Sequence, residues 1–255
     1  MVEKVYTAED QAKISYYVCG QGAPLFCVHG SGRNKEMWLK NGWLQELEKK
    51  YMVIAMDIRG FGKSSVFEEA KYYEINRILE DIKGIMKECK VDEISYLGHS
   101  YGATIGFQAI RAGLPIKKAV CASGSMGKYF FEEVCPGAYE EYKMLADIKT
   151  RQAFGELSEY SEDDIDFIKN ENMAKFRALF EAWSQWKPVN VEDISGKASI
   201  YAGTLDHNKE MVENTTIRQA VFKKQGIDTK CFEGLNHEEL VTRTDICLPW
   251  VLEHL

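Results

Sequence analysis

The stretch YLGHSYGATIG, Tyr96 to Gly106, sets Ser100 inside a Gly-x-Ser-x-Gly frame with apolar residues on both flanks. A strand that turns abruptly into a helix needs glycines at the corner, because side chains there collide, and the central serine is pushed outward. That reading requires a strand before the serine and a helix after it. Residues 93–97 form a short apolar run of strand type, and residues 101–112 repeat apolar side chains at helical spacing before Gly113 and Pro115 stop them. Both flanks are of the required kind.

Outward from this corner, short β-branched or apolar runs alternate with longer amphipathic ones, which predicts parallel strands joined by crossover helices. Before the serine, the pattern predicts a strand pair over 12–19 and 24–29 split by the Gly20-Gln21-Gly22 turn. A helix over 35–50, a strand over 51–57 and a helix over 72–90 follow. After it, residues 117–122 predict a strand, and then the alternation breaks. Residues 123–193 carry helical patterns and no convincing strand, so they are expected to form a helical cap inserted into an α/β core made of 1–122 and 194–255. The insertion is rich in aromatic residues, among them Phe130, Phe180, Trp183 and Trp186, which pack a thin helical layer or line an apolar pocket. The alternation resumes with a strand over 198–202, a helix over 210–225, a strand over 228–232 and a closing helix over 238–255.

A chain of 255 residues with 45% hydrophobic composition can bury one large α/β core. Its net charge of -7, with both signs interleaved, lacks the basic footprint of a nucleic-acid partner. The charged N-terminal stretch has no apolar core of the signal-peptide type, and no window offers about 20 apolar residues in a row. A soluble, cytoplasmic protein, monomeric or homodimeric, is expected. Seven scattered cysteines without a C-x-x-C pair fit reduced thiols rather than a metal site.

A serine hydroxyl is a weak nucleophile until an imidazole held by a carboxylate takes its proton. Of the five histidines, His29 and His99 lie inside glycine-containing turns, His207 follows a carboxylate directly, and His254 ends the chain. His237 follows a predicted strand, where open α/β sheets place catalytic groups, and is the expected base. Asp206 in YAGTLDHN also follows a strand and precedes His237, giving the order serine, aspartate, histidine expected of this kind of elbow. Asp57 is its rival, but it precedes the serine and is expected to organise the DIRGFGKS turn with Arg59. The oxyanion needs two preorganised donors, expected from the backbone N–H groups of Tyr101, at the start of its helix, and of Ser31 in VHGSGRN.

These motifs together resemble the α/β-hydrolase fold superfamily across nearly the whole chain. VHGSGRN resembles its oxyanion loop, DIRGFGKS its D-x-R-G-x-G-x-S turn, LGHSYGA its elbow, YAGTLDHN its acid loop and GLNHEE its histidine loop. The resemblance implies a mostly parallel sheet flanked by helices, with a cap between the sixth and seventh strands. It also implies a cofactor-independent, carboxylesterase-like serine hydrolase with Ser100, Asp206 and His237 as its triad. Serine at the elbow argues against the haloalkane dehalogenases and epoxide hydrolases, which carry aspartate there. Ala103 departs from the second glycine that many relatives have. The expected partner is a small-molecule acyl substrate, with no metal. A carbon–carbon, amide or lactone hydrolase, and a ligand-binding receptor with slow turnover, remain as alternatives.

Overall fold

The computed structural model describes all 255 residues. Eight strands form one sheet: β1 (Val2–Thr7), β2 (Lys13–Cys19), β3 (Ala23–Val28), β4 (Tyr51–Met56), β5 (Ile94–His99), β6 (Ile116–Ala122), β7 (Ala198–Gly203) and β8 (Asp228–Phe232). Their spatial order is β1-β2-β4-β3-β5-β6-β7-β8. The pairs β1/β2 and β2/β4 are antiparallel, and every pair from β4 to β8 is parallel. Eleven α-helices connect them: α1 (Glu36–Lys40), α2 (Trp43–Leu47), α3 (Ile75–Cys89), α4 (Tyr101–Arg111), α5 (Cys135–Arg151), α6 (Glu162–Asn170), α7 (Met173–Trp183), α8 (Lys209–Thr215), α9 (Gln219–Lys224), α10 (Glu239–Thr242) and α11 (Thr244–His254). This is the α/β-hydrolase architecture expected, with the long helical stretch between the sixth and seventh strands.

Burial follows the position of each strand. β5, in the middle of the sheet, is buried at all six positions, whereas β1 at the edge is exposed at five. Helix α4 buries every residue from Tyr101 to Ile110, as a helix apolar nearly all round must. One face of the sheet meets a cluster of Trp38, Trp43, Leu44 and Leu47 with Leu240, Val241, Cys247, Leu248 and Val251. Inside that cluster Trp43 Nε1–H donates to the Val241 carbonyl at 2.7 Å, tying the segment after His237 to the front of the chain.

Several local expectations change. β1 was not anticipated, and β2 and β3 are not neighbours, because β4 inserts between them and pairs with both. The helix expected over 35–50 is broken into α1 and α2 at Gly42, whose φ of 82° is open to glycine but costly for other residues. The helices expected over 210–225 and 238–255 are each two shorter ones.

The chain divides into two compact units. The first holds Met1–Ser65, Leu79–Gly127 and Val189–Leu255 and contains the whole sheet. The second holds Lys128–Pro188, and also Val66–Ile78 from well before the elbow, which periodicity had placed with the core. Within the second unit α5 packs along α7, with Tyr142 stacked on Phe176 and Phe180 at ring separations of 5.2 and 5.3 Å. Arg177 also donates to the Glu68 carbonyl, fastening the early segment to α7.

Candidate active site

Ser100 stands between the last residue of β5 and the first of α4 with φ 53° and ψ -115°, a conformation that a non-glycine residue adopts only under constraint. The two frame glycines allow the constraint. A Cβ on Gly98 would lie 2.6 Å from the backbone of Gly102, and one on Gly102 would collide with the Val28 carbonyl at the end of β3. The first turn of α4 therefore passes directly over the sheet. Tyr96 O–H donates to the Gly102 carbonyl at 2.6 Å and Ser100 N–H to the Ala122 carbonyl at 2.7 Å, holding the corner from below and from the side. Ala103 finds its room at Gly124, where an added Cβ would lie 2.7 Å from the Ala103 methyl.

The loop after β3 packs on this corner. A Cβ on Gly30 would sit 3.1 Å from Ser100 Cβ, so Ser31, the next residue, is delivered beside the serine. Gly32 follows with φ 72°. Tyr101 is the first residue of α4, at the positive end of that helix.

Asp206 and His237 meet on the other loops. A Cβ on Gly203, at the end of β7, would collide with the Leu235 carbonyl, so the absence of a side chain there lets the two loops touch. Leu205 N–H completes the contact by donating to Leu235 O at 3.0 Å. Asp206, fully buried, then places Oδ1 2.9 Å from His237 Nδ1 and accepts Asn208 N–H at 2.9 Å on the same oxygen. Burial pushes the Asp206 carboxyl up, but the hydrogen bond and charge of His237, together with the Asn208 N–H, outweigh it and hold it below its usual range. Asp206 is ionised at neutral pH and fixes the His237 tautomer with the proton on Nδ1.

Two further imidazoles border His237. The His99 ring lies 4.7 Å from it, and His99 Nε2–H donates to the His237 backbone carbonyl at 3.0 Å. Burial, then the neighbouring His237, lowers His99 to about 3, so it stays neutral. The His207 ring is closer, at 4.2 Å. His99 thus bridges the elbow to the histidine loop, and no hydrogen bond joins the Ser100 hydroxyl to the His237 ring. Neither role was legible beforehand, although the His-Ser and Asp-His dipeptides were the available signal. One ligand atom each from Asp206, His207 and His237 lies within 4.8 Å of the others, close enough for side-chain rotation to bring them onto one metal ion.

The rival acid is occupied elsewhere. Asp57 accepts from Lys35 N–H, Lys35 Nζ and Lys63 N–H at 2.7 to 2.9 Å, all buried or part-buried. Arg59 does not pair with it, contrary to expectation, but with Asp10 and Asp81. Lys63 and Arg33, on the two loops flanking this region, are paired with Glu3 and Glu238. Phe130, Phe180, Trp183 and Trp186 form one ring cluster in the second unit, with Trp183 touching the other three at 5.7, 5.0 and 6.2 Å.

The alpha/beta hydrolase fold family matches residues 23–135. The chain is 25% identical over 241 residues to the (E)-2-((N-methylformamido)methylene)succinate hydrolase of Acinetobacter baylyi, spanning 89% of this chain and 88% of that protein. Among solved structures, a hydrolase from Pseudomonas aeruginosa superposes with a TM-score of 0.73 at 18% identity over 99% of this chain and 97% of the other. An esterase from Exiguobacterium antarcticum gives 0.72 at 18% identity over 99% and 98%. Sheet order, the elbow and the match over residues 23–135 give this chain the α/β-hydrolase fold. No helix is long and apolar enough to cross a membrane.

Proposed function

We propose that this protein is a serine hydrolase that cleaves a carboxylic ester or thioester of a small to medium, partly apolar substrate through an acyl-enzyme on Ser100. The observation that carries the reading is the Asp206–His237 pair at 2.9 Å, in loops that touch only because Gly203 lacks a side chain, joined through the His99–His237 carbonyl hydrogen bond to the elbow that holds Ser100 at positive φ. His237 Nε2 accepts the Ser100 proton as the hydroxyl oxygen attacks the acyl carbon. The N–H groups of Ser31 and Tyr101 receive the developing oxyanion. Protonated His237, stabilised by ionised Asp206, then gives its proton to the leaving group. Water, activated by the same ring, adds to the acyl-enzyme and releases the acid. The second unit is read as the cap, with Phe130, Phe180, Trp183 and Trp186 as its candidate substrate-binding side chains.

The test is covalent labelling with a fluorophosphonate alongside turnover of short p-nitrophenyl esters. Wild type labels at Ser100 and turns over; Ser100→Ala and His237→Ala do neither. Wild type that neither labels nor turns over refutes the reading. A second reading keeps the triad and changes the bond to an amide, carbon–carbon or lactone bond. The full-length likeness to a hydrolase named for a formamido-substituted succinate favours it. Labelling at Ser100 without ester turnover would select it.

A further inference from the structure

The proposed chemistry leaves His207 without a task. This exposed imidazole follows the acid directly in the chain, yet its ring lies 4.2 Å from that of His237, tilted by 41°. Asp206 is fully buried, with Ser123 and His237 as its side-chain neighbours. Two imidazoles and this carboxylate bring their ligand atoms within 4.8 Å of one another.

We propose that Asp206, His207 and His237 bind a borderline transition cation, Zn²⁺ in particular, and that occupancy switches the triad off; the second half rests on the serine-hydrolase reading above. Two nitrogens and one carboxylate oxygen are a common zinc donor set, with water completing a tetrahedron. Mg²⁺ and Ca²⁺, which prefer shells of oxygen, are poorly served by two imidazoles.

The geometry selects the atoms. Nδ1 is the His237 nitrogen that faces the carboxylate, 2.9 Å from Oδ1. Zinc–ligand bonds of about 2.0 to 2.2 Å meeting at the tetrahedral angle put two ligand atoms about 3.3 Å apart. The pair therefore has to open by only about 0.4 Å to hold the ion where a proton now sits. As zinc takes the Nδ1 lone pair, the ring keeps its single proton, which moves from Nδ1 to Nε2. Nε2 then has no lone pair with which to accept the Ser100 proton, and the hydroxyl stays protonated. His207 supplies the third ligand that a carboxylate–imidazole pair lacks, and its exposure lets the ring turn a nitrogen towards the ion.

The experiment separates binding from chemistry. Zn²⁺ is titrated against a chromogenic zinc indicator in the presence of wild type, Ser100→Ala, His207→Gln and His207→Phe, and fluorophosphonate labelling is timed with and without the ion. Wild type and Ser100→Ala should share one strong site. Both His207 variants should bind it at least tenfold more weakly, since even lesser losses around a metal cost that much. Zinc should slow wild-type labelling and a chelator restore it. His207→Gln at the same zinc concentration should label as fast as it does without zinc, and Mg²⁺ should have no effect. Equal zinc affinity in wild type and both His207 variants overturns the site, and assigns any binding to the thiols or other histidines. Tight His207-dependent binding that leaves labelling unchanged overturns the switch. If wild type does not label even without zinc, the serine-hydrolase reading fails, while the indicator titration still decides the site.

Discussion

Acidification should destabilise the fold through His29, by an amount that follows from its surroundings. The ring is fully buried, accepts Ile58 N–H on Nε2 at 3.0 Å and donates Nδ1–H to the Gly30 carbonyl at 2.7 Å. Burial is the main cause that lowers it from an ordinary 6.5 to about 4, against the opposing pull of the Gly30 carbonyl and Asp57. Below pH 6.5 the unfolded chain takes up a proton that the folded chain refuses until about 4, so the unfolded state binds more protons and stability falls with pH across that window. Each pH unit of the gap is worth about 1.4 kcal/mol, giving about 1.4 kcal/mol near pH 5.5 and about 3.4 kcal/mol once the window is crossed. His29→Gln keeps an acceptor for Ile58 N–H and cannot be protonated. The substitution costs about 1 to 2 kcal/mol at neutral pH through the lost Gly30 contact and poorer packing. Urea unfolding followed by tryptophan fluorescence from about pH 7.5 to 4.5 reads the difference, because every other titrating group cancels between the two proteins. Wild type should lose its advantage over the variant progressively as pH falls. A wild-type-minus-variant difference that stays flat over that range would refute the argument.

Three further outcomes follow from the site. Asp206→Asn retains a hydrogen bond to His237 but removes the charge that stabilises the imidazolium, so kcat should fall by about 10³ to 10⁴ with little change in KM, measured by ester turnover. Gly102→Ala drives a methyl into the Val28 carbonyl under the elbow and should cost about 3 kcal/mol or abolish soluble expression, read from the thermal midpoint. Tyr96→Phe removes the buried hydrogen bond to Gly102 and should cost about 1 kcal/mol, with Ser100 labelling preserved at low temperature.

The elbow was legible because its logic is local. Gly98, Ser100 and Gly102 are close in the chain, and the collisions that forbid side chains at the two glycines arise from the turn itself and from the strand beneath it. The alternation of apolar runs located seven of the eight strands for a similar reason, since periodicity reports which face of a segment is buried. It carries no information about which segment lies alongside. That is why β1 was missed, why β4 was not seen to separate β2 from β3, and why residues 66–78 were not assigned to the second unit.

The sequence by itself determined the corner, the order of candidate residues and the class of fold, because glycine sterics and hydrophobic period are properties of short stretches. Tertiary structure decided which of 39 acidic residues meets His237, that Asp57 is spent on Lys35, and that His99 and His207 border the base. Those pairings join positions 22 to 138 residues apart. They depend on how closely backbones approach, as Gly203 and Leu235 do, and such distances are set by packing the whole sheet with its helices rather than by any one segment.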